Sequence, residues 1–190
     1  MSTKTVRKSH NRLPGYNYSQ LNYYFITICS ENRLELFGKI ENNEMVMNDA
    51  GRMIEQILLE IPCFYPAISL DTYVVMPNHI HAIIIINNQI LLNNGQTQGS
   101  VPTYSNISLS NLIQRIKMLS TKKYIAAVKN NQWPPFNKKI WQRSFHDHII
   151  RNNRSLKEIR EYIVKNPANW DEDAENKNSI NRQRISPGQV

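Results

Sequence analysis

The chain has 190 residues and a net charge of +8, from 23 lysines and arginines against 15 aspartates and glutamates. This length predicts one domain with peripheral extensions and a substantial core. No apolar run approaches the roughly 18 residues of a membrane span, and the basic N-terminus lacks the apolar stretch of a secretory signal. Cys29 and Cys63 match no metal-binding pattern. We therefore expect a reduced cytoplasmic protein, with a disulfide between the two cysteines left open.

Basic residues are concentrated in the second half of the chain. Residues 21–110 contain three basic and eight acidic side chains, whereas residues 111–165 contain thirteen basic and three acidic ones. Residues 1–20 add four basic side chains and no acid. Polyanions are the natural partners of such a surface, and a solvated face that only improves solubility is the alternative.

The first half of the chain predicts strands around one helix. "LNYYFITICS" at 21–30 is rich in aromatic and β-branched residues and predicts a strand. The apolar spacing of residues 48–62 predicts a helix that ends at Pro62. "ISLDTYVVMPNHIHAIIII" at 68–86 predicts two strands broken near Pro77 and Asn78. The second strand is apolar on both faces, so we expect it to be central and covered by helices.

The second half predicts two helices and a short strand. Residues 87–107 form a polar, flexible loop, and residues 108–129 form an amphipathic helix with Arg115, Lys122 and Lys129 on one face. A strand follows at 145–150, and then a helix whose start is indicated by a capping box of Ser155 and Glu158. We expect a basic arm at 1–20, a domain at 21–170 and a poorly ordered polar tail at 171–190.

Two histidines in the central strand are the first candidates for a site. Side chains at i and i+2 of a strand share a face, so His79 and His81 suit two ligands of one metal ion. The alternative is one satisfied core histidine and one rim residue. A third ligand can come from the last helix, where Tyr162 and Asn166 lie one turn apart. The alternative is that Tyr162 is an amphipathic edge residue of the helix and that Asn166 marks its C-terminal end.

Other patterns offer further possibilities. His146 and His148 form a second His-x-His pair, so a zinc site of four histidines stays open, whereas Ile83 excludes a histidine-triad nucleotide hydrolase. Aromatic residues interleaved with bases, as at 133–145, are typical of single-stranded nucleic-acid binding. The alternative is that Trp141 and Phe145 belong to the core. The candidate DNA-binding residues are Arg115, Lys122, Lys123, Lys138, Lys139, Trp141, Arg143, His148 and Arg151.

Three segments together resemble a known family. "VVMPNHIHAIIII" resembles the His-hydrophobe-His motif of the HUH single-strand DNA nucleases, and "SFHDHIIRNNRSLKEIREYIVKNPANW" resembles the tyrosine helix of their REP-associated tyrosine transposases. "YYFITICSENRLELFG" is similar to the family's first strand. The resemblance covers roughly residues 20–170.

The resemblance implies a ferredoxin-like α+β fold, with an antiparallel sheet backed by helices and a C-terminal helix that bears the tyrosine. It implies that His79, His81 and Asn166 hold Mg²⁺ or Mn²⁺ and that Tyr162 attacks the phosphodiester. The product would be a 5′-phosphotyrosine DNA intermediate, formed on hairpin or palindromic repeat DNA in a transposition-type reaction.

Two other functions stay open. One is a domesticated DNA-hairpin-binding protein that no longer cuts, and the other is a hydrolytic zinc nuclease that also uses His146 and His148. Since the family includes monomers and homodimers, Tyr162 can act in its own subunit or in a partner's.

Overall fold

A computed structural model describes residues 22–87, 107–131 and 133–179 of the chain. The basic arm predicted at 1–20, nearly all of the loop predicted at 87–107, and residues 180–190 lie outside these ranges. No helix in the described ranges combines the length and apolar character needed to cross a bilayer. Cys29 is a buried free thiol and Cys63 an exposed one, so these two cysteines do not form the disulfide that the sequence left undecided.

The described residues form six strands and three α-helices. In chain order these are β1 (Asn22–Cys29), β2 (Gly38–Glu41), β3 (Glu44–Met47), α1 (Asp49–Phe64), β4 (Ile68–Val75), β5 (His79–Ile86), α2 (Leu109–Asn131), β6 (His146–Ile150) and α3 (Asn153–Lys165). Short 3-10 helices lie at Glu31–Arg33 and Pro167–Glu172.

Four strands form the main sheet, in the order β4-β5-β1-β6, and β2 and β3 form a separate hairpin. All neighbours in the main sheet are antiparallel. Helix α1 connects β1 to β4, and α2 lies between β5 and β6 in the chain, which is the split βαβ arrangement of ferredoxin-like folds. The predicted α+β fold, with a C-terminal helix that carries the tyrosine, is confirmed.

The alternation of side chains along β5 separates two cores. Ile80, Ala82, Ile84 and Ile86 belong to the large core that α1 and α2 complete. Ile83 instead packs with Ile150 and with Ile163 of α3 in a small core on the opposite face. Because His79 and His81 have the same parity as Ile83, the strand period places them on the α3 face.

Helix α1 does not end at Pro62, as the sequence predicts, but continues to Phe64. Within a helix, proline removes one backbone hydrogen bond and its ring crowds the carbonyl four residues earlier. The apolar row that includes Ile57, Leu58 and Ile61 is buried up to this last turn. Beyond the proline, the Tyr65 amide donates to the Ile61 carbonyl at 3.0 Å, which closes the last turn of the helix.

Helix α3, which bears Tyr162, is held at its start and along its length. The Asn152 side chain caps it by accepting from the Ser155 amide at 2.8 Å. The predicted capping box is therefore wrong, and Glu158 pairs with Arg154 at 2.9 Å instead. Arg160 donates two hydrogen bonds to the Asp71 carboxylate of β4, at 2.9 and 2.5 Å, which fastens α3 to the sheet.

The chain beyond α3 folds back over the His79 end of the sheet. The expectation of a poorly ordered tail after Trp170 is wrong as far as residue 179, because Asp173, Asn176 and Ser179 are buried. The Asn78 side chain donates to the Glu175 carbonyl at 2.9 Å. Such hydrogen bonds allow a polar segment to pack where an apolar stripe is missing.

Candidate metal and tyrosine site

His79 and His81 lie side by side at the buried start of β5. They pair across the sheet with Cys29 and Thr27 of β1. Their ring centroids are 4.4 Å apart in a T-shaped arrangement, and their exposed fractions are 0% and 3%. The two imidazoles thus lie together, as the strand period predicts, in a place where polar atoms need partners.

In each imidazole, the Nδ1 atom is within hydrogen-bond distance of a neighbouring side chain, and the Nε2 atom is left for another partner. The Nδ1 atom of His81 lies 2.9 Å from the Thr27 hydroxyl, and that of His79 lies 2.8 Å from Asn78 Oδ1. The Nε2 atom of His81 faces Tyr162, whereas the Nε2 atom of His79 is buried without a hydrogen-bond partner among the described residues.

Tyr162 brings its hydroxyl to the histidine pair. Its Oη atom lies 3.2 Å from His81 Nε2, and its ring packs edge-on against Phe25 with centroids 6.0 Å apart. The side chain stays 44% exposed. The phenol oxygen is therefore in contact with the buried imidazole on one side and accessible to a large substrate on the other.

Asn166 reaches the same centre together with an acid that the sequence analysis missed. The buried Asn166 donates from Nδ2 to Asp173 Oδ2 at 2.8 Å, and its own Oδ1 has no partner among the described residues. Asp173 Oδ1 accepts from the Glu175 amide at 2.6 Å. Four acids occur at 171–175, and no feature of the sequence distinguishes Asp173 from the others.

The donor set fits a divalent cation. Potential ligand atoms of His79, His81 and Asp173 lie within 4.8 Å of one another, and all three residues are buried. Two buried acceptor atoms, His79 Nε2 and Asn166 Oδ1, have no partner among the described residues. Imidazole nitrogens suit zinc, iron or nickel, and carboxylate and amide oxygens suit Mn²⁺ or Mg²⁺, so the mixed set is compatible with several divalent cations.

Burial determines the charge of these groups. It lowers the pKa of His79 well below its ordinary value and that of His81 to about 4, so both imidazoles are neutral with lone pairs available at pH 7. Burial, with the Asp173 carboxylate adding to it, raises the pKa of Tyr162 to about 12. The phenol is thus fully protonated at neutral pH and must lose its proton to become a nucleophile.

A second polar cluster supports the folded-back segment beside the site. Glu175 Oε2 accepts from Arg33 Nε at 2.7 Å and from the Cys29 thiol at 3.2 Å. Burial and the neighbouring Glu175 carboxylate raise the pKa of Cys29, so the thiol stays protonated. This cluster joins β1 to the segment that carries Asp173.

Four of the predicted DNA-binding residues, one of them Trp141, line one groove. Lys122, Lys139 and Arg143 line a groove of about 560 Å³ between α2 and the segment that precedes β6. Its apolar lining includes Met118 and Ile125, which are 51% and 40% exposed. Lys117 closes the groove by donating to the Gln142 and Ser144 carbonyls, at 2.8 Å each, and burial lowers its pKa to about 8.

Trp141 is not available to stack on a base. Its side chain is 5% exposed, its ring packs against Phe37, and its Nε1 donates to Ser120 at 2.8 Å. The alternative assignment of Trp141 to the core is correct, because the bridge between Ser30 and Trp141 turns this residue inward. The remaining predicted residues, Arg115, Lys123, Lys138, His148 and Arg151, are exposed and do not line this groove.

The histidines of β6 are not part of the candidate metal centre. His146 and His148 pair with Thr27 and Phe25 across the sheet, on the outer strand, and both are exposed. Among the described residues, the ligand group contains His79, His81 and Asp173 but neither of these two. The site with four histidines therefore has no geometric support.

Comparisons with known proteins identify a relative in sequence and a solved structure of similar fold. No protein-family model matches the chain. An uncharacterized protein of Haemophilus influenzae is 35% identical over 186 residues, which is 91% of this chain and 97% of that protein. A solved structure of a REP-associated tyrosine transposase bound to a REP hairpin is similar, with a TM-score of 0.50 and 19% identity, over 84% of this chain and 74% of that one.

These two similarities establish different things. Identity of 19% supports likeness of fold, so the chain has the fold of that transposase structure. Identity of 35% over nearly the full length of both proteins supports common family membership. The chain therefore belongs to the same family as the Haemophilus influenzae protein.

Proposed function

We propose that the protein is a metal-dependent single-strand DNA endonuclease and strand transferase of the single-tyrosine HUH type. The observation that carries this proposal is the contact of 3.2 Å between Tyr162 Oη and His81 Nε2. It joins a partly exposed nucleophile to a buried group of His79, His81 and Asp173 that suits a cation.

The reaction follows from the chemistry of a phenol. Tyr162 Oη attacks phosphorus after losing its proton, a new P–O bond forms, and the bond to the 3′ oxygen breaks. The leaving strand takes up a proton as a 3′-hydroxyl, and the other strand stays attached through a 5′-phosphotyrosine. Because the phosphodiester is exchanged rather than hydrolysed, the same step in reverse rejoins strands without ATP.

The cation would be held by His79, His81 and Asp173, with Asn166 Oδ1 as a further donor. When bound, Mg²⁺ or Mn²⁺ supplies a Lewis acid that polarises the phosphoryl oxygens. The neutral imidazoles and the single carboxylate leave part of the ion's charge uncompensated, which favours an anionic substrate. Phe25 and Thr27 support this arrangement by packing Tyr162 and holding the His81 ring.

Tyr162 acts in its own subunit in this proposal. The hydroxyl and the imidazole that it contacts belong to one chain. Helix α3 reaches this position through the Arg160–Asp71 pair and the small core around Ile163. A partner subunit is not needed to complete the site.

Hairpin DNA is the proposed substrate class. The transposase structure of the same fold is bound to a REP hairpin. The groove lined by Lys122, Lys139 and Arg143 lies beside α2, on the face of the sheet opposite Tyr162. Strand β6 forms the edge of the sheet that separates these two faces. His148 in this strand and Arg151 directly after it are both exposed. A hairpin in the groove would pass a single strand around this edge.

Formation of a covalent adduct tests the proposal. Full-length protein incubated with hairpin-bearing single-stranded DNA and Mn²⁺ is expected to give a protein–DNA species that survives denaturing electrophoresis. Tyr162→Phe should abolish the adduct and leave hairpin affinity within about twofold, since it removes only the nucleophilic oxygen. Tyr73→Phe is the matched control, because the Tyr73 hydroxyl binds Glu55 on the other face of the sheet and should not affect the adduct.

Two results would contradict the assignment. An adduct that persists in Tyr162→Phe would show that another residue is the nucleophile. Tight hairpin binding without adduct or cleavage under any divalent cation would favour the alternative of a DNA-hairpin-binding protein without cleavage activity.

A further inference from the structure

The side chain of Asn78, directly before the histidine pair, is buried and makes three contacts. Its Nδ2 atom donates to the Glu175 carbonyl at 2.9 Å and lies 3.4 Å from the Arg33 carbonyl. Its Oδ1 atom lies 2.8 Å from His79 Nδ1. The residue thus connects β5 to the Arg33 turn and to the segment that follows α3.

The two carbonyls determine which way the amide faces. If the oxygen and nitrogen of Asn78 were exchanged, an amide oxygen would face two carbonyl oxygens, and three acceptors would meet without a hydrogen. The nitrogen therefore faces Arg33 and Glu175. The oxygen must face His79.

An amide oxygen can only accept, so His79 Nδ1 must carry the hydrogen. A neutral imidazole has one N–H and one lone pair. The lone pair is then on Nε2, the buried atom that has no partner among the described residues, and His79 forms a possible ligand group with His81 and Asp173. We propose that Asn78 is a positioning residue that holds His79 in the Nδ1–H tautomer and so directs the Nε2 lone pair to the candidate metal centre.

Thr27 cannot do the same for His81. Its hydroxyl, 2.9 Å from His81 Nδ1, can donate or accept and is therefore compatible with either tautomer. The orientation of the donor set thus depends more on Asn78 than on Thr27. The tautomer assignment stands on the hydrogen bonds alone, and its consequence for metal binding rests on the proposed function.

Two measurements on metal-free, full-length protein test the inference. Long-range ¹H–¹⁵N NMR of histidine-labelled protein reports which ring nitrogen of His79 carries hydrogen, and titration calorimetry with MnCl₂ reports affinity. We expect an Nδ1–H tautomer in the wild type. Asn78→Ala should lose that preference and bind Mn²⁺ about 10–100-fold more weakly, the usual cost of removing a group that orients a ligand.

Asn78→Asp separates orientation from structural support. The carboxylate keeps an acceptor for His79 Nδ1 but loses both donations to the Arg33 and Glu175 carbonyls. It should lower stability, because an oxygen then faces the two carbonyls, but it should retain the Nδ1–H tautomer and bind Mn²⁺ more tightly than Asn78→Ala. Asn48→Ala is the control for lost stability, because Asn48 also makes amide hydrogen bonds to backbone, at the start of α1 and away from the site.

The outcomes are distinguishable. An Nε2–H tautomer in the wild type would overturn the inference, as would unchanged Mn²⁺ affinity in Asn78→Ala. Equal loss in Asn78→Ala and Asn78→Asp would show that the role is only structural, which also overturns it. If the wild type shows the Nδ1–H tautomer but binds no Mn²⁺, the tautomer assignment stands and the metal-dependent function is what fails.

Discussion

A cation at the candidate centre and the Tyr162 hydroxyl would use the same atom, His81 Nε2. The Tyr162 hydroxyl lies within hydrogen-bond distance of that nitrogen, at 3.2 Å. Tyr162→Phe removes this competitor, so we expect the variant to bind Mn²⁺ at least as tightly as the wild type. Calorimetry without DNA measures this, with Tyr73→Phe as the unchanged control. Weaker binding by Tyr162→Phe would mean that the phenol oxygen is itself a ligand.

Asp173 supplies the only carboxylate of the ligand group among the described residues. Asp173→Asn keeps the size of the side chain but removes its negative charge. We expect Mn²⁺ affinity to fall at least about tenfold, because loss of a ligand should cost no less than loss of a group that only orients a ligand. Asp171→Asn is the matched control, since Asp171 lies two residues away and is exposed. Equal affinities of the two variants would exclude Asp173 as a ligand.

At the scale of elements, the start of α3 depends on Asn152 rather than on the Ser155 side chain. Asn152→Ala removes the oxygen that accepts from the Ser155 amide at 2.8 Å. The expected loss is about 1 kcal/mol in the free energy of unfolding, measured by urea denaturation. Ser155→Ala should change it much less, because the backbone amide of Ser155 makes that bond. The opposite ranking would restore the capping box of Ser155 and Glu158.

The attachment of α3 to β4 should weaken in acid. Hydrogen bonds from Arg160 lower the pKa of Asp71 below its ordinary value of 3.8. A carboxylate whose pKa is lower when folded stabilises the fold above its unfolded pKa, and that contribution disappears as the pH falls through the folded pKa. Asp71→Asn should therefore have a lower melting temperature than the wild type at neutral pH. The difference should shrink below about pH 4, and a constant difference would contradict this.

At the scale of the whole molecule, the basic second half of the chain forms a groove on one face of the sheet, while Tyr162 lies on the other. Lys122→Ala and Arg143→Ala should each weaken hairpin binding for all sequences. Each lost phosphate contact lowers the slope of log affinity against log salt by about 0.7–0.9. Fluorescence anisotropy at several salt concentrations measures this slope. Lys39→Ala, on the β2–β3 hairpin, is the control, and equal slopes in all variants would exclude the groove.

Local periodicity explains what the sequence alone determined about this protein. The alternation of β5 places His79 and His81 on one face, and the helical repeat places Tyr162 near Asn166, because strand and helix geometry depend on neighbours in the chain. The ferredoxin-like fold is implied instead by the resemblance of three segments to the HUH family. Only the tertiary structure decided that Asp173 lies beside His79 and His81, that the Asn78 side chain contacts His79 and that Trp141 is buried. Those features arise where segments distant in sequence pack together, and no local pattern of residues encodes such contacts.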